Sequence, residues 1–295
     1  MLNDYSAIEK QVTPEPFSTT AGIVEKMSLR GQRSLSILVP SCDAYSDLWA
    51  PFFSLFWRYW PDCPFTVFLG ANALTFSNPN VTSLHSDKGL VWTDRLQDYL
   101  ATIETTYVLM ILEDFFLKHR VITDDVIAAL SLACELEAHC IRLTPRPCPT
   151  IRVFGIKNFG ILEVGSPFRV STQAAIWRKD SLIRLLKSGE SIWEFEMNGT
   201  ARSMMWPSGF YGYYIPVIPY GHHVVERGKW FPWAARRYGK MNIGCDFTAR
   251  EIMTTKETVR WCSHKILGVS LDQLPWRTRL NLIAKLGYLK KAFHG

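Results

Sequence analysis

Two adjacent carboxylates close a strongly apolar run, Val108-Leu109-Met110-Ile111-Leu112-Glu113-Asp114-Phe115. The apolar part reads as a strand buried on both faces. A buried strand that delivers acids to its carboxyl end places them where α/β sheets hold ligands. Hard oxygen ligands on a fixed element suit a divalent cation that bridges two phosphates. The acids are followed by Phe115-Phe116-Leu117, so they are poorly solvated unless a positive group sits beside them. The plainer alternative is a solvated strand end.

Three further segments carry reactive side chains. Ser41-Cys42-Asp43-Ala44-Tyr45-Ser46-Asp47 follows an apolar run, 35–40. In a nucleotide-binding sheet this loop receives base and ribose, with Asp43 accepting from a hydroxyl or base N–H and Tyr45 stacking; the alternative is an Asx-type turn leading into a helix. Arg95, near the start of the next helical pattern, is either a phosphate ligand or a solvated helix residue. Gly189-Glu190-Ser191-Ile192-Trp193-Glu194-Phe195-Glu196 sets acids among aromatic rings, where a raised pKa suits a general base. On a helix Glu190 and Glu194 share a face and Glu196 lies roughly opposite Glu194, so only one of the last two reaches a given site. Tyr220 to Trp230 is rich in donors: His223 can complete a metal site and Lys229 or Arg227 can hold a diphosphate. A surface hairpin is the alternative there.

The elements that must position these residues follow from periodicity. Strands are expected at 35–40, 65–69, 81–84, 107–112 and 140–143, and helices at 48–60, 94–104 and 123–138. Thr123-Asp124-Asp125 is expected to cap the last of these. That alternation predicts an α/β chain with a mostly parallel nucleotide-binding sheet and flanking helices. After Pro145-Arg146-Pro147-Cys148-Pro149 the pattern changes to short β-like pieces (151–154, 161–164), the segment 171–177, a helix through 186 capped by Asp180, and a short helix over 191–197. The expected organisation is an arm (1–33), a nucleotide-binding half (34–150), an acceptor and catalytic half (151–240) and a C-terminal helical extension (241–295).

Composition bounds the rest. The chain has 295 residues, 47% hydrophobic, with 11 Trp, 17 Phe and 11 Tyr, which argues against disorder. Net charge is +6, but Arg277, Arg279, Lys285, Lys290 and Lys291 lie in a terminal stretch without an acid. Five of the six net charges are therefore in the tail, and a general nucleic-acid-binding surface is not indicated. Seven cysteines without a CxxC pair predict reduced thiols and a cytoplasmic protein. No signal peptide and no membrane-spanning run is expected.

Taken as an ordered set, Ser41 to Trp49, Ile111-Leu112-Glu113-Asp114-Phe115, Gln173-Ala174-Ala175-Ile176-Trp177 and Glu190 to Glu196 resemble bacterial GT-A-type glycosyltransferases of surface-polysaccharide gene clusters, over about residues 34 to 230. The resemblance implies a GT-A-like single domain that transfers a sugar from a nucleotide-sugar donor to a hydroxyl acceptor, a glycan or a lipid-linked one. Glu113-Asp114 would stand where that fold keeps an Asp-x-Asp metal motif for Mn²⁺ or Mg²⁺. Here the motif is Glu-Asp-Phe, so Asp114 alone, with His223, could ligate, or Arg and Lys could replace the cation. Glu194 or Glu196 would stand where inverting members keep their base, and Gln173 near the donor sugar. Competing expectations are a sugar-nucleotide nucleotidyltransferase, disfavoured because the 41–47 loop has no glycine, and a non-catalytic membrane-surface binding protein. The tail over 276–293 can form a basic amphipathic helix, with Leu282, Leu286, Leu289 and Phe293 in one stripe. That predicts contact of 275–295 with an anionic membrane surface at the inner face, or else docking on the protein's own core.

Overall fold

Strand β1 (Leu35–Pro40) is buried at every position, and so is β4 (Tyr107–Met110). Runs of this kind, apolar on both faces, settle in the middle of a parallel sheet covered on both sides by helices. The computed structural model, which describes residues 34–272 apart from 88 and 222, has this arrangement. β1 pairs in parallel with β2 (Thr66–Ala71) and β4, and β2 pairs in parallel with β3 (Val81–His85). The sheet continues through β8 (Ala175–Arg178), β5 (Cys140–Arg142), β9 (Phe210–Tyr213), β7 (Phe159–Ile161) and β6 (Ile151–Arg152), giving the order β3-β2-β1-β4-β8-β5-β9-β7-β6. β8 and β7 are antiparallel to their neighbours and the other seven strands share one direction. The expected mostly parallel α/β sheet with flanking helices is present. Strands from 34–150 and 151–240 belong to this one sheet.

Alternate residues of the central strands feed two cores. On one face Ile37, Val39, Leu109, Ile141 and Ile176 meet the aromatic stripe Phe52, Phe53 and Phe56 of α1 (Trp49–Tyr59) and Val126, Ala129 and Leu130 of α3 (Thr123–Glu135). On the other, Leu38, Val108, Met110 and Trp177 meet Leu96, Tyr99 and Leu100 of α2 (Trp92–Thr102), Leu182 and Leu185 of α4 (Lys179–Leu185) and Phe195 of α5 (Ile192–Arg202). Period-2 side-chain alternation makes two cores from one sheet.

Several local expectations need correction. Thr123 opens α3 but does not cap it: its hydroxyl accepts from Trp60 Nε1 and donates to Asp62, tying the end of α1 to the start of α3. Asp180 lies inside α4, paired with Arg178 at 3.0 Å, and the residue before that helix, Arg178, makes no side-chain cap. Glu190 precedes Ser191, the N-cap of α5, so it shares no helix face with Glu194. The donor-rich segment forms a small hairpin, β10 (Val225–Glu226) with β11 (Lys229–Trp230). Beyond it α6 (Pro232–Tyr238) and a loop carrying buried Ile243 and Met253 pack onto the first core, and α7 (Thr255–Asp272) follows. The arm 1–33 and the basic tail 275–295 lie outside the described residues. No described helix is long and apolar enough to cross a membrane.

The end of β2 is built by close approach. A Cβ on Gly70 would come within 2.4 Å of the Tyr99 ring, while Tyr99 Oη donates to the Ala71 carbonyl at 2.8 Å. The Gly70 carbonyl accepts from Ser41 N at 3.2 Å. Tyr99 is fully buried, so it cannot swing out to make room. Gly70→Ala is expected to lower stability by about 1–3 kcal/mol through overpacking, read as a lower urea midpoint at unchanged slope. An unchanged midpoint would refute this account of the β1–β2 edge.

Candidate active site

The chain leaves β4 through Ile111, whose N–H donates to the Leu38 carbonyl, and delivers Glu113 and Asp114 to the carboxyl edge of the sheet. Glu113 is buried and Asp114 half-buried. Burial pushes the Glu113 carboxyl up to about 7, although the Ser41 hydroxyl and the Arg250 guanidinium pull it the other way. Burial, then the neighbouring Glu113 charge, holds Asp114 well above the ordinary carboxylate range. One oxygen of that carboxylate, Asp114 Oδ1, is buried without a hydrogen-bond partner. A buried orphan acceptor is uncommon enough to require an occupant or a function.

The first loop supplies the opposite wall. Ser41 Oγ accepts from Trp49 Nε1 at 2.8 Å and bonds to Glu113. Tyr45 lies under the Arg250 guanidinium, 4.3 Å from its ring centroid, and Arg250 clasps Asp47 through two contacts of 2.6 Å. Both charges of this pair are largely buried, and Arg250 is the cation that acts on Glu113 and Asp114 together. Arg95 acts electrostatically on Cys42, as does Glu113. Its Nη1 donates to the Leu90 carbonyl at 2.6 Å, and its Nε is buried without a partner. Arg95 and Glu113 thus both act on Cys42. Asp43 serves the frame instead: its carboxylate accepts from the backbone N–H groups of Asn72, Ala73 and Leu74, which fastens the loop after β2 to the loop after β1.

The remaining wall comes from the second half of the chain. Val224 N donates to the Asp114 carbonyl at 2.8 Å. The Tyr220 ring packs on Phe115 at 4.6 Å, its hydroxyl donates to Gln173 Oε1 at 2.8 Å and it accepts from Ala174 N. Gln173 is thereby brought to the acidic pair. His223 packs against Phe115, and its Nε2 lies 2.8 Å from Glu226 Oε2, which also accepts from Trp261 Nε1. Burial pushes the Glu226 carboxyl up, but the bonds from His223 and Trp261 prevail and hold it below its ordinary range.

The two base candidates part here. Glu194 is exposed and closes a capping box, accepting from Ser191 N and Oγ through Oε2. Those same bonds hold its carboxyl below the usual range. Glu196 is buried, and Oε1 accepts from both Thr172 N (2.7 Å) and Thr172 Oγ1 (2.8 Å), beside Gln173. Glu190 is tied to Arg202 at 2.6 Å. Lys229 is ion-paired to Glu251 and Glu257 at 2.8 and 2.9 Å, away from the acidic pair. Asp47, Arg250, Tyr220 and Glu226 are site residues that sequence reasoning did not single out. Asp47 and Arg250 lie 203 residues apart, so no local pattern could pair them.

No group of three or more His, Cys, Asp or Glu side chains is arranged to hold a metal among the described residues. Cations of the Mg²⁺ type nonetheless bind through one or two carboxylates, completed by water and substrate phosphates. The orphan Oδ1 of Asp114 beside Glu113 fits that requirement. Glu113 titrates at about 7 in the folded chain and from its ordinary 4.5 when unfolded. The folded state therefore binds more protons between those values, and stability falls as pH rises from about 4.5 through 7. Without divalent cations, Glu113→Gln is expected to lose less melting temperature between pH 5 and pH 8 than the parent does, the remainder belonging to Asp114, which burial also holds above its ordinary range. Equal pH dependence of the two would contradict the burial of this charge.

No protein-family model and no curated protein matches the chain. Among solved structures, the mannosyltransferase PcManGT from Pyrobaculum calidifontis, in complex with GDP-Man and Mn²⁺, aligns at 13% identity over 86% of this chain and 80% of that one, with a TM-score of 0.42. Glucosyl-3-phosphoglycerate synthase of M. tuberculosis aligns at 11% identity over 81% and 87%, TM-score 0.42. The 1–349 portion of S. aureus TarS aligns at 15% identity over 57% and 55%, TM-score 0.34, so the chain spans about half the length of that structure. At such identities and scores, what those proteins bind or act on does not carry over to this chain.

Proposed function

We propose that the chain is a glycosyltransferase that moves a sugar from a nucleotide-sugar to a hydroxyl acceptor. The observation that carries this reading is the buried Glu113–Asp114 pair at the carboxyl edge of the sheet, with Asp114 Oδ1 lacking any partner. The sequence resemblance to GT-A-type enzymes of surface-polysaccharide assembly supports the same reading. It extends it to a glycan or lipid-linked acceptor at the cytoplasmic face of the membrane, with the segment 275–295 touching anionic lipid.

In this mechanism Ser41, Tyr45 and Arg95 receive the nucleoside diphosphate, and Arg95 Nε finds an acceptor in a phosphate oxygen. Asp114 and Glu113, with His223 close by, would hold a Mn²⁺ or Mg²⁺ ion, which when bound neutralises charge on the leaving diphosphate. Gln173, oriented by Tyr220, faces the donor sugar. Glu196 is the base: both of its bonds to Thr172 fall on Oε1, so Oε2 takes the acceptor proton. The acceptor oxygen then attacks the anomeric carbon from the face opposite the leaving diphosphate, inverting its configuration. Glu194 is excluded from that role in this scheme by its capping duty. Asp43 and Lys229 act at a distance, through loop fastening and ion pairing respectively.

Nucleotide release from UDP-, GDP-, TDP- and CMP-sugars in the presence of Mn²⁺ tests the reading. One donor class is expected to turn over. Glu196→Gln should reduce turnover by about 10²–10⁴ with nucleotide binding retained, while Glu194→Gln keeps turnover, since Gln also closes a capping box. Release from none of the donors would overturn the transferase reading. Loss of turnover in Glu194→Gln but not Glu196→Gln would overturn the choice of base.

A further inference from the structure

Far along the sheet from the acidic pair, the β6–β7 hairpin carries Phe154 fully exposed. Its neighbours in the turn behave differently: Val153 and Ile156 fold inward against the first core. Gly155 and Asn158 take positive φ values of 81° and 56°, which turns the chain tightly and leaves the Phe154 ring pointing away from the protein. The turn is held firmly. Val153 N donates to the Phe159 carbonyl at 3.1 Å, Thr150 N to the Ile161 carbonyl at 2.9 Å, and Tyr214 N to the Asn158 carbonyl at 2.8 Å.

The hairpin's own charged residues have one sign. Between positions 145 and 162 the sequence contains Arg146, Arg152 and Lys157 and no Asp or Glu, and all three cations are exposed. Arg152 is oriented by stacking on Tyr214, 4.7 Å from the ring centroid. An exposed ring on a rigid turn whose own charged residues are cations matches an interface that is apolar inside and anionic at its surface, which is what an acidic lipid bilayer offers. β6 also runs in the same direction as β4. The turn that follows β6 therefore emerges on the carboxyl edge of the sheet, the edge that bears Glu113 and Asp114.

We propose that the β6–β7 hairpin is a membrane-docking finger: Phe154 enters the interfacial region of an anionic bilayer while Arg146, Arg152 and Lys157 engage lipid headgroup phosphates. This contact is separate from the basic tail and does not depend on the transferase reading. It would turn the carboxyl edge of the sheet towards the lipid.

Co-sedimentation of the full chain with vesicles of phosphatidylglycerol and phosphatidylcholine, and with phosphatidylcholine alone, tests it. The parent is expected to prefer the anionic vesicles. Phe154→Ser should weaken the partition coefficient about tenfold, the loss of one buried aromatic side chain, and Arg152→Glu with Lys157→Glu should weaken it about tenfold or more. Both variants alter exposed residues, so unchanged melting temperatures verify that they fold. Because both keep the tail, any loss belongs to the hairpin. Partition equal to the parent in both variants overturns the proposal.

Discussion

Two carboxylates side by side in a poorly solvated place constrain everything around them. Glu113 and Asp114 reach their positions because β4 is buried on both faces and must end somewhere, and it ends at the edge where seven strands point the same way. The Glu113 charge raises the tendency of Asp114 to stay protonated, and Asp47 does the same to Glu113. Arg250 acts on both carboxylates, yet that guanidinium is already committed to Asp47 and stacked on Tyr45. The compensation is therefore shared, and Asp114 Oδ1 remains without a partner. Groups kept in such a state stabilise the fold poorly but suit the binding of a cation that arrives with its own phosphate oxygens.

The surrounding architecture holds this arrangement in place. Asp43 pins the loops after β1 and β2 together through three backbone N–H groups, and Gly70 lets Tyr99 close against the same edge. From the other side Tyr220 couples Phe115 to Gln173, and Val224 bonds to the Asp114 backbone. The loop before α7 brings Arg250 back across the sheet, where the Trp230–Ile252 bridge and buried Met253 fix it. Residues from five separate stretches of chain, 41–47, 113–115, 173–174, 220–226 and Arg250, thus meet around the acidic pair.

Much of this frame was legible from residue order alone. The apolar runs at 35–40 and 107–112 announced central strands, and the abrupt change to Glu113-Asp114 announced the acids at their end. The antiparallel insertion of β8 between β4 and β5 was not legible. A four-residue strand buried at three positions has no period to read, and its place is set by pairing with partners far along the chain. The Asp47–Arg250 and Tyr220–Gln173 contacts were hidden for the same reason of sequence distance. Glu194 is a different case: Ser191-Ile192-Trp193-Glu194 has the spacing of a capping box, so its engagement at the helix start could have been read, leaving Glu196 as the freer acid. Thr123 misled in the opposite sense, since a hydroxyl at a helix start looked like a cap while Trp60 and Asp62 supplied stronger partners.

Calorimetric titration of UDP and GDP at pH 7.5, with and without Mn²⁺, into the parent chain and into Asp114→Asn tests the central claim most directly. The account predicts that one nucleoside diphosphate binds, that Mn²⁺ tightens its binding, and that the tightening disappears in Asp114→Asn. Nucleotide binding indifferent to both Mn²⁺ and the substitution, or no binding at all, would contradict it.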